Sequence, residues 1–274
     1  LFPRLAALAE VAWTQPDKKD WALFLKGMDR YNEHLAEKGI VYARSMYNIQ
    51  HKVTPENGVL QVKLECIRPD VEIRYTMDGK EPTDRSLLYK SPLMVTGAQT
   101  IKCTTYRAGR QMGKTLTLPL VWNKATAKPV LGNTQAGKIL VNVVRGILRQ
   151  SDFEWHSWES SDSVAFTIDL QKKESLRSVS VGCITNYGMA AHKPADIEVW
   201  VSNDNRDYRK VSGKQFTDGE IFREGTFKED VVLDLNKEIG RYVRIIAKGA
   251  GECPATHVRP GQEARIYFDE VMIE

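Results

Sequence analysis

The sequence predicts a mainly β protein: two β-sandwich domains preceded by two α-helices. Three observations carry this. Apolar residues recur at helical spacing only as far as about residue 48, and from about residue 50 the period falls to two. The period-two segments are short and separated by turn-forming residues, as in sandwiches. A stretch at 124–135 contains Lys128-Pro129 and Gly132-Asn133, has no period, and divides the strands into two groups. The resulting boundaries are 1–48 for the helices, 49–123 for the first sandwich, 124–137 for a linker and 138–274 for the second sandwich.

The first helix is written in LFPRLAALAEVAWT at 1–14, apolar on nearly every face, with only Arg4 and Glu10 interrupting before Thr14. A helix of that kind belongs inside a larger structure. Its packing partner is therefore expected outside this chain, and dimerisation through exposed helices is expected of the chain alone. Thr14-Gln15-Pro16-Asp17 reads as the start of the second helix, with a Thr cap and a Pro in the first turn. Trp21, Phe24, Leu25, Met28, Tyr31 and Leu35 then share one face, and Gly39 is a stop signal.

In the first sandwich Leu60, Val62, Leu64 and Cys66 alternate with polar residues, as do Val71, Ile73 and Tyr75. MDGKEPT at 77–83 contains Asp-Gly, a strong hairpin cue, and Ile101, Cys103 and Thr105 mark another strand before a last one at 115–122. In the second sandwich six strands read at 164–170, 178–184, 196–202, 231–235, 242–248 and 265–274, with no helix, which suggests a jelly roll.

The chain has 274 residues and a formal net charge of +4, spread along its length, which points to neither nucleic acid nor an anionic membrane. No run of about 18 apolar residues could span a bilayer, and the start lacks the layout of a signal peptide. The four cysteines form no CxxC pair, and the histidines are not at zinc-site spacings. Cys66 and Cys103 read as buried free thiols, with a bridge between them as the alternative. Gly-Lys-Thr at 113–115 lacks the upstream glycine of a phosphate loop and reads as a turn.

Sugar recognition needs an aromatic face for the C–H side of a pyranose and fixed donors and acceptors for its hydroxyls. Three inter-strand segments of the second sandwich offer them: Trp155, His156 and Trp158; Asn186, Tyr187 and His192; and His257 with Arg259. The carbohydrate-binding candidates are Trp155, His156, Tyr187, His192, His257 and Arg259. Against each stands a plainer reading, since large aromatics usually pack and loops are braced by hydrogen bonds.

Phe2-Pro3-Arg4, Ala6-Ala7-Leu8-Ala9-Glu10 and Trp13 resemble the last barrel helix of family 20 glycoside hydrolases, the β-N-acetylhexosaminidases and chitobiases; GIVYARS at 39–45 fits the segment that closes their (β/α)8 barrel. IRYTMDGKEPT at 73–83 and LYKSPLMV at 88–95 resemble the small immunoglobulin-like sandwich that follows that barrel. LVNVVRG at 140–146, WHSWES at 155–160, PADIEVWVSNDNRDY at 194–208 and the closing FDEVMIE resemble discoidin-like, factor V/VIII C-type domains. LVNVVRG lacks the Asp-Gly pair usual there, and Asn205 stands where a Gly is common.

The resemblance implies the non-catalytic C-terminal part of a β-N-acetylhexosaminidase whose glycan partners end in N-acetylhexosamine or galactose-type sugars, exported to the periplasm, cell surface or medium. In that family an adjacent Asp-Glu pair on a barrel strand acts through the substrate's own 2-acetamido group. The one Asp-Glu here, Asp269-Glu270, lies in a strand at the far end of the chain and is not expected to be catalytic. No catalytic residue and no cofactor is expected. The resemblance also makes Glu270, with Asn142 in the early loop, a candidate for holding a structural calcium, although the first acid of that loop is Asp152.

Overall fold

The computed structural model describes residues 3–132, 140–148, 154–159 and 163–274. Phe2, Asp152, Ser160 and the 133–137 part of the expected linker lie outside the described residues. The elements are α1 (Arg4–Trp13), α2 (Trp21–Glu37), β1 (Gln50–Glu56), β2 (Val59–Glu65), β3 (Glu72–Thr76), β4 (Leu87–Leu88), β5 (Leu93–Val95), β6 (Gln99–Arg107), β7 (Arg110–Gln111), β8 (Leu116–Leu120), β9 (Val130–Leu131), β10 (His156–Glu159), β11 (Ser163–Asn186), β12 (Asp196–Ser202), β13 (Arg209–Gln215), α3 (Asp218–Ile221), β14 (Thr226–Lys248) and β15 (Arg265–Ile273). The fold is mainly β, as the sequence predicts, and the described residues form three sheets. The chain divides into two compact units, one of Leu1–His51, Leu64–Ser91 and Gln99–Pro119, the other of Lys52–Lys63, Pro92–Ala98 and Leu120–Glu274.

In the first unit α1 leaves Leu5, Leu8, Val11 and Trp13 exposed, Trp13 at 88%. The start of α2 differs from the expectation. Thr14 closes α1, its hydroxyl donating to Glu10. Pro16–Lys18 form a separate 3-10 turn, and the chain runs extended through Lys19 and Asp20. The helix therefore starts afresh at Asp20, whose carboxylate accepts the free N–H of Leu23. Leu25, Met28 and Leu35 face inward, and Gly39 ends the helix at φ +68°.

The sheet of this unit runs β4-β3-β6-β7, with β8 also on β6. Beside it a charge network ties α2 to the strands. The buried Arg68 guanidinium lies 2.7 Å from Asp29 and 2.6 Å from Asp70, and Arg107 reaches the same two carboxylates at 3.1 and 2.8 Å. Arg68 holds the Asp70 carboxyl well below the usual carboxylate range. Burial alone would raise Asp29, but hydrogen bonds from Arg68 and Tyr47 outweigh it and its net shift is downward. Burial and the neighbouring Asp29 push the Tyr47 hydroxyl up to about 12. Cys66 and Cys103 are free thiols, and burial raises Cys103 to about 12.

The second unit holds the β1-β2-β5 sheet and a seven-stranded sheet, β10-β15-β11-β14-β12-β13, with β9 also on β11. Here the expectation of six separate strands is corrected. Residues 164–170 and 178–184 are halves of β11, and 231–235 and 242–248 are halves of β14. The two long strands pair antiparallel along their length, and the register shifts between Asp169 and Glu174. Gln171 takes positive φ there, and Asn236 and Lys237 take it opposite a second shift between Leu176 and Ser178, so each strand bends at a bulge where the sequence suggested a loop. Phe166, Ile168, Val181, Ile197, Ile245 and Phe268 are among the residues of the core. A one-turn helix, α3, replaces part of what the sequence left as loop; Thr217 and Glu220 close its start as a capping box.

Asp269 and Glu270 are both buried, at 0% and 1% exposure. Asp269 accepts from Arg145 Nε and from the Gly146 N–H, each at 2.9 Å, and Arg145 also pairs with Asp230. Gly182 makes room for this group: a Cβ there would stand 1.9 Å from Asp269 Oδ1. Burial raises the Asp269 carboxyl, and Arg145 opposes that rise.

Candidate functional site

At one end of the second unit three segments meet. β11 ends at Asn186 and passes through a 3-10 turn, Tyr187–Met189, which closes with Ala190 at φ +52°. His192 is then set by its own N–H donating to Arg265 O at the start of β15. α3 delivers Ile221 and Phe222. The 251–264 loop closes on itself through Cys253 N–H to Gln262 O, Gly261 N–H to Cys253 O and Ala264 N–H to Gly251 O.

Side chains from these segments stack in layers. Phe222, His192 and His257 form an edge-to-face set, with ring centroids 5.0 Å apart for Phe222–His192 and 5.1 Å for His192–His257. Tyr187 lies against His257 at 3.9 Å, half-buried, and its hydroxyl donates to Thr256 O at 3.4 Å. Arg259 is exposed and crosses between segments: its Nε donates to Gly188 O at 2.6 Å and its Nη1 to Gln262 at 3.1 Å.

The hydrogen bonds fix both imidazoles. Ile221 O can only accept, so His192 Nδ1, 3.0 Å away, carries a proton and leaves its Nε2 as a lone pair. The Arg259 N–H points at His257 Nδ1 at 3.0 Å, so that nitrogen is the lone pair and His257 Nε2 carries the proton. The two Nε2 atoms lie 3.2 Å apart, donor facing acceptor. One directed chain thus runs from Arg259 N–H through His257 and His192 to Ile221 O, with both rings neutral. Burial pushes His192 down to about 4, against the pull of its Ile221 bond, and also lowers His257.

His192, Cys253 and His257 each place one potential ligand atom within 4.8 Å of the others, a grouping that residues 61 and 65 apart do not announce. The Nδ1–H of His192 on a backbone carbonyl suits a metal-binding histidine. His257 does not fit: with Arg259 N–H on Nδ1, its Nε2 holds a proton where a metal needs a lone pair. Burial also raises the Cys253 thiol, against the thiolate a metal binds. The group is therefore a proton network in this arrangement.

The fold thus gathers four of the six sugar-binding candidates, Tyr187, His192, His257 and Arg259. His192 and His257 are only 1% and 4% exposed and form the floor beneath the other two. Trp155 and His156 are placed elsewhere. The segment that reads as a loop in the sequence is the strand β10, paired along β15 with His156 opposite Phe268. Ala191 bridges Arg265, three residues before Phe268, which along a strand is about 10 Å away. Trp155 is buried, its Nε1 donating to Ile147 O at 2.8 Å, and a Cβ on Gly146 would meet its ring at 2.3 Å. Trp158 packs on Phe268, and His156 on Trp158. Asn186 pairs through its backbone with Ala191. The sequence reading missed Phe222 and Ile221; the Thr217–Glu220 capping box was the signal that a turn of helix would bring them here.

For calcium, Glu270 Oε2 accepts from Val143 N–H at 2.9 Å, while its Oε1 is buried without a hydrogen-bond partner. Asn142 Oδ1 is already taken by Val144 N–H, and its Nδ2 faces Glu154. Glu270 Oε1 thus fits a cation, but Asn142 as oriented does not, and calcium wants six to eight oxygens.

Residues 55–117 match the chitobiase/beta-hexosaminidase C-terminal domain, and residues 132–259 match the F5/8 type C domain. Among curated proteins, a beta-hexosaminidase of Porphyromonas gingivalis is 31% identical over 122 residues, which is 40% of this chain and 14% of that protein. Among solved structures, chitosan-binding module 1 from a chitosanase/glucanase of Paenibacillus sp. IK-5 overlaps 56% of this chain and 98% of its own length, at 14% identity and a TM-score of 0.36. The C-terminal domain of a chitobiase from Bacteroides fragilis overlaps 52% of this chain and 80% of its own, at 14% identity and a TM-score of 0.30. Both structural overlaps are partial and low-scoring, and neither identifies a ligand for this chain.

Proposed function

We propose that this chain, which carries a chitobiase/β-hexosaminidase C-terminal domain followed by an F5/8 type C domain, is the non-catalytic C-terminal part of a β-N-acetylhexosaminidase, and that its last domain binds carbohydrate. In this reading residues 1–48 are the last helices of the catalytic barrel, 49–123 a sandwich that braces it, 124–137 a linker and 138–274 the sugar-binding module. The exposed apolar side of α1 is the side that the barrel would cover, and the parent acts on exported or cell-surface glycans. Asp269 is committed to Arg145 and the Gly146 N–H, and Glu270 is buried, which supports a chain without catalysis of its own. The purified chain should release no chromophore from a chromogenic N-acetylglucosaminide.

The observation that carries the binding role is the half-buried Tyr187 ring packed on His257, with the exposed Arg259 side chain bonded to Gly188 O, one residue along from that ring. A ring edge for sugar C–H groups and a fork of N–H donors for hydroxyls is what a shallow sugar site requires. His192 and His257 serve it as positioning residues.

The test is a titration of the full chain with galactose, N-acetylgalactosamine and N-acetylglucosamine, with and without calcium, followed by amide shifts. Saturable shifts in 186–192 and 253–262 are expected, lost in Tyr187→Ala and in Arg259→Ala. Absence of shifts with all three sugars would overturn the binding role. The bonds that already tie Arg259 to Gly188, Gln262 and Met189 would then favour a second reading, a sandwich that only braces the enzyme.

A further inference from the structure

We propose that His192 and His257 form a proton-operated latch beneath the Tyr187–Arg259 surface, so that acidification opens the surface and releases bound sugar. This rests on the sugar-site reading above and adds its regulation.

The case is one of geometry. Each imidazole has one further place for a proton, and each place already faces an N–H. A proton added to His192 Nε2 would meet the Nε2–H of His257 at 3.2 Å. A proton added to His257 Nδ1 would meet the Arg259 N–H at 3.0 Å. No third proton can enter the pair without breaking a link of the chain that ties the 253–262 loop to His192 and, through Ile221 O, to α3.

The groups facing the pair do little to welcome a charge. Tyr187 contributes a ring from the end of β11, and Phe222 another from beyond α3. Cys253 contributes a thiol from the 251–264 loop, and the same loop brings the cationic Arg259, which acts against an imidazolium at His257. Lys193, next along the chain from His192, spends its ammonium on Glu229. Arg265, at the start of β15, offers His192 its backbone oxygen. Burial opposes charge on both rings in the same direction.

The link that breaks matters because of what it carries. Arg259 N–H is the backbone donor to His257, and the same residue's side chain spans to Gly188. Tyr187 rests on the His257 ring. Displacing His257 therefore moves the two groups that make the surface, and His192 anchors His257.

The experiment uses the full chain, with N-acetylgalactosamine as probe and ring-nitrogen NMR as readout. At pH 7.5 His192 should show a protonated Nδ1 and His257 a protonated Nε2. On acidification both rings should titrate well below an ordinary histidine, and the Arg259 amide should move with them. Probe affinity should fall as the rings titrate, by at least about tenfold once the pH lies about a unit below their midpoint, as when the competent state drops to a tenth of the population. His257→Gln, neutral at every pH, should flatten that dependence to within about twofold.

The latch is overturned if the rings show other tautomers, or titrate as ordinary exposed histidines. It is equally overturned if affinity is unchanged by acid. Absence of probe binding at pH 7.5 would sink the sugar site, while the tautomers and the linked Arg259 shift would still decide the latch. Should His257→Gln fail to fold, the wild-type tautomers and His192→Gln carry the test.

Discussion

Replacing Arg68 with methionine should lower the stability of the first unit by about 3 kcal/mol. Breaking a buried ion pair usually costs more than forming it gains, because the abandoned partners keep their desolvation penalty. Here the Arg68 side chain is 2% exposed and serves Asp29, Asp70 and the Leu25 carbonyl at once. Methionine fills much of the volume but leaves the two carboxylates with Arg107 and, for Asp29, the Tyr47 hydroxyl. The figure sits at the low end of the usual range because the Asp70 side chain is 41% exposed and screened by water. Hydrogen exchange should read it as faster exchange in α2 and β3, with β15 unchanged.

The same substitution has a predicted pH signature. Both aspartates are held below their ordinary values in the fold. Their stabilisation is therefore fully present above the unfolded value near 3.8, and is lost as pH falls below it toward the folded values. The gap between wild type and Arg68→Met should be constant from pH 7 to 5 and close only in stronger acid. A gap that closed by pH 5 would mean the carboxylates are not what Arg68 stabilises.

His192 runs by the same rule with a different window. Its folded value, about 4, lies below its ordinary 6.5, so the unfolded chain binds the extra proton first. Stability of the second unit should rise with pH between these two values and level off above them.

What the sequence could show follows from the kind of signal each feature leaves. The α2 face was legible because Leu25, Met28 and Leu35 repeat at helical spacing and are buried. The alternation of Leu60, Val62 and Leu64 was legible for the same reason, since all three face a core. Charged networks leave no such mark: nothing in a one-dimensional pattern says that Asp29, Arg68, Asp70 and Arg107, from distant parts of the chain, will neutralise one another. The continuity of β11 through Gln171 was hidden because a bulge and a loop use the same residues. For the candidate site, composition singled out Tyr187, His192, His257 and Arg259, which the fold brings together. It could not separate the buried pair from the exposed one, or place His156 in β10 and bury Trp155 just before it. That division depends on which side of a loop faces the core, and loops have no period to reveal it.

The adjacent carboxyls at the end of the chain give the sharpest contrast. Asp269→Asn should destabilise the second unit by about 4 kcal/mol, within the range for removing one partner of a buried ion pair. Asparagine keeps the shape, but one side of it becomes an amide N–H₂, facing either Arg145 Nε and the Gly146 N–H or the Glu270 N–H. Donor then meets donor in a site at 0% exposure. Glu270→Gln, one residue on, should cost less than about 1 kcal/mol. Burial, with the Asp269 charge beside it, pushes the Glu270 carboxyl well above the usual carboxylate range, so the amide replaces a group whose charge the site disfavours. Urea unfolding of both variants, with chelator and with added calcium, separates the two roles of Glu270. A small cost in chelator that grows by several kcal/mol in calcium would show that the free Oε1 is a cation ligand. A small cost in both would leave Glu270 as a buried acid whose work is to accept the Val143 N–H. An Asp269→Asn penalty as small as that of Glu270→Gln would mean that Arg145 gains as much from Asp230 alone, and that the buried charge at 269 is not what holds the 143–146 loop to β15.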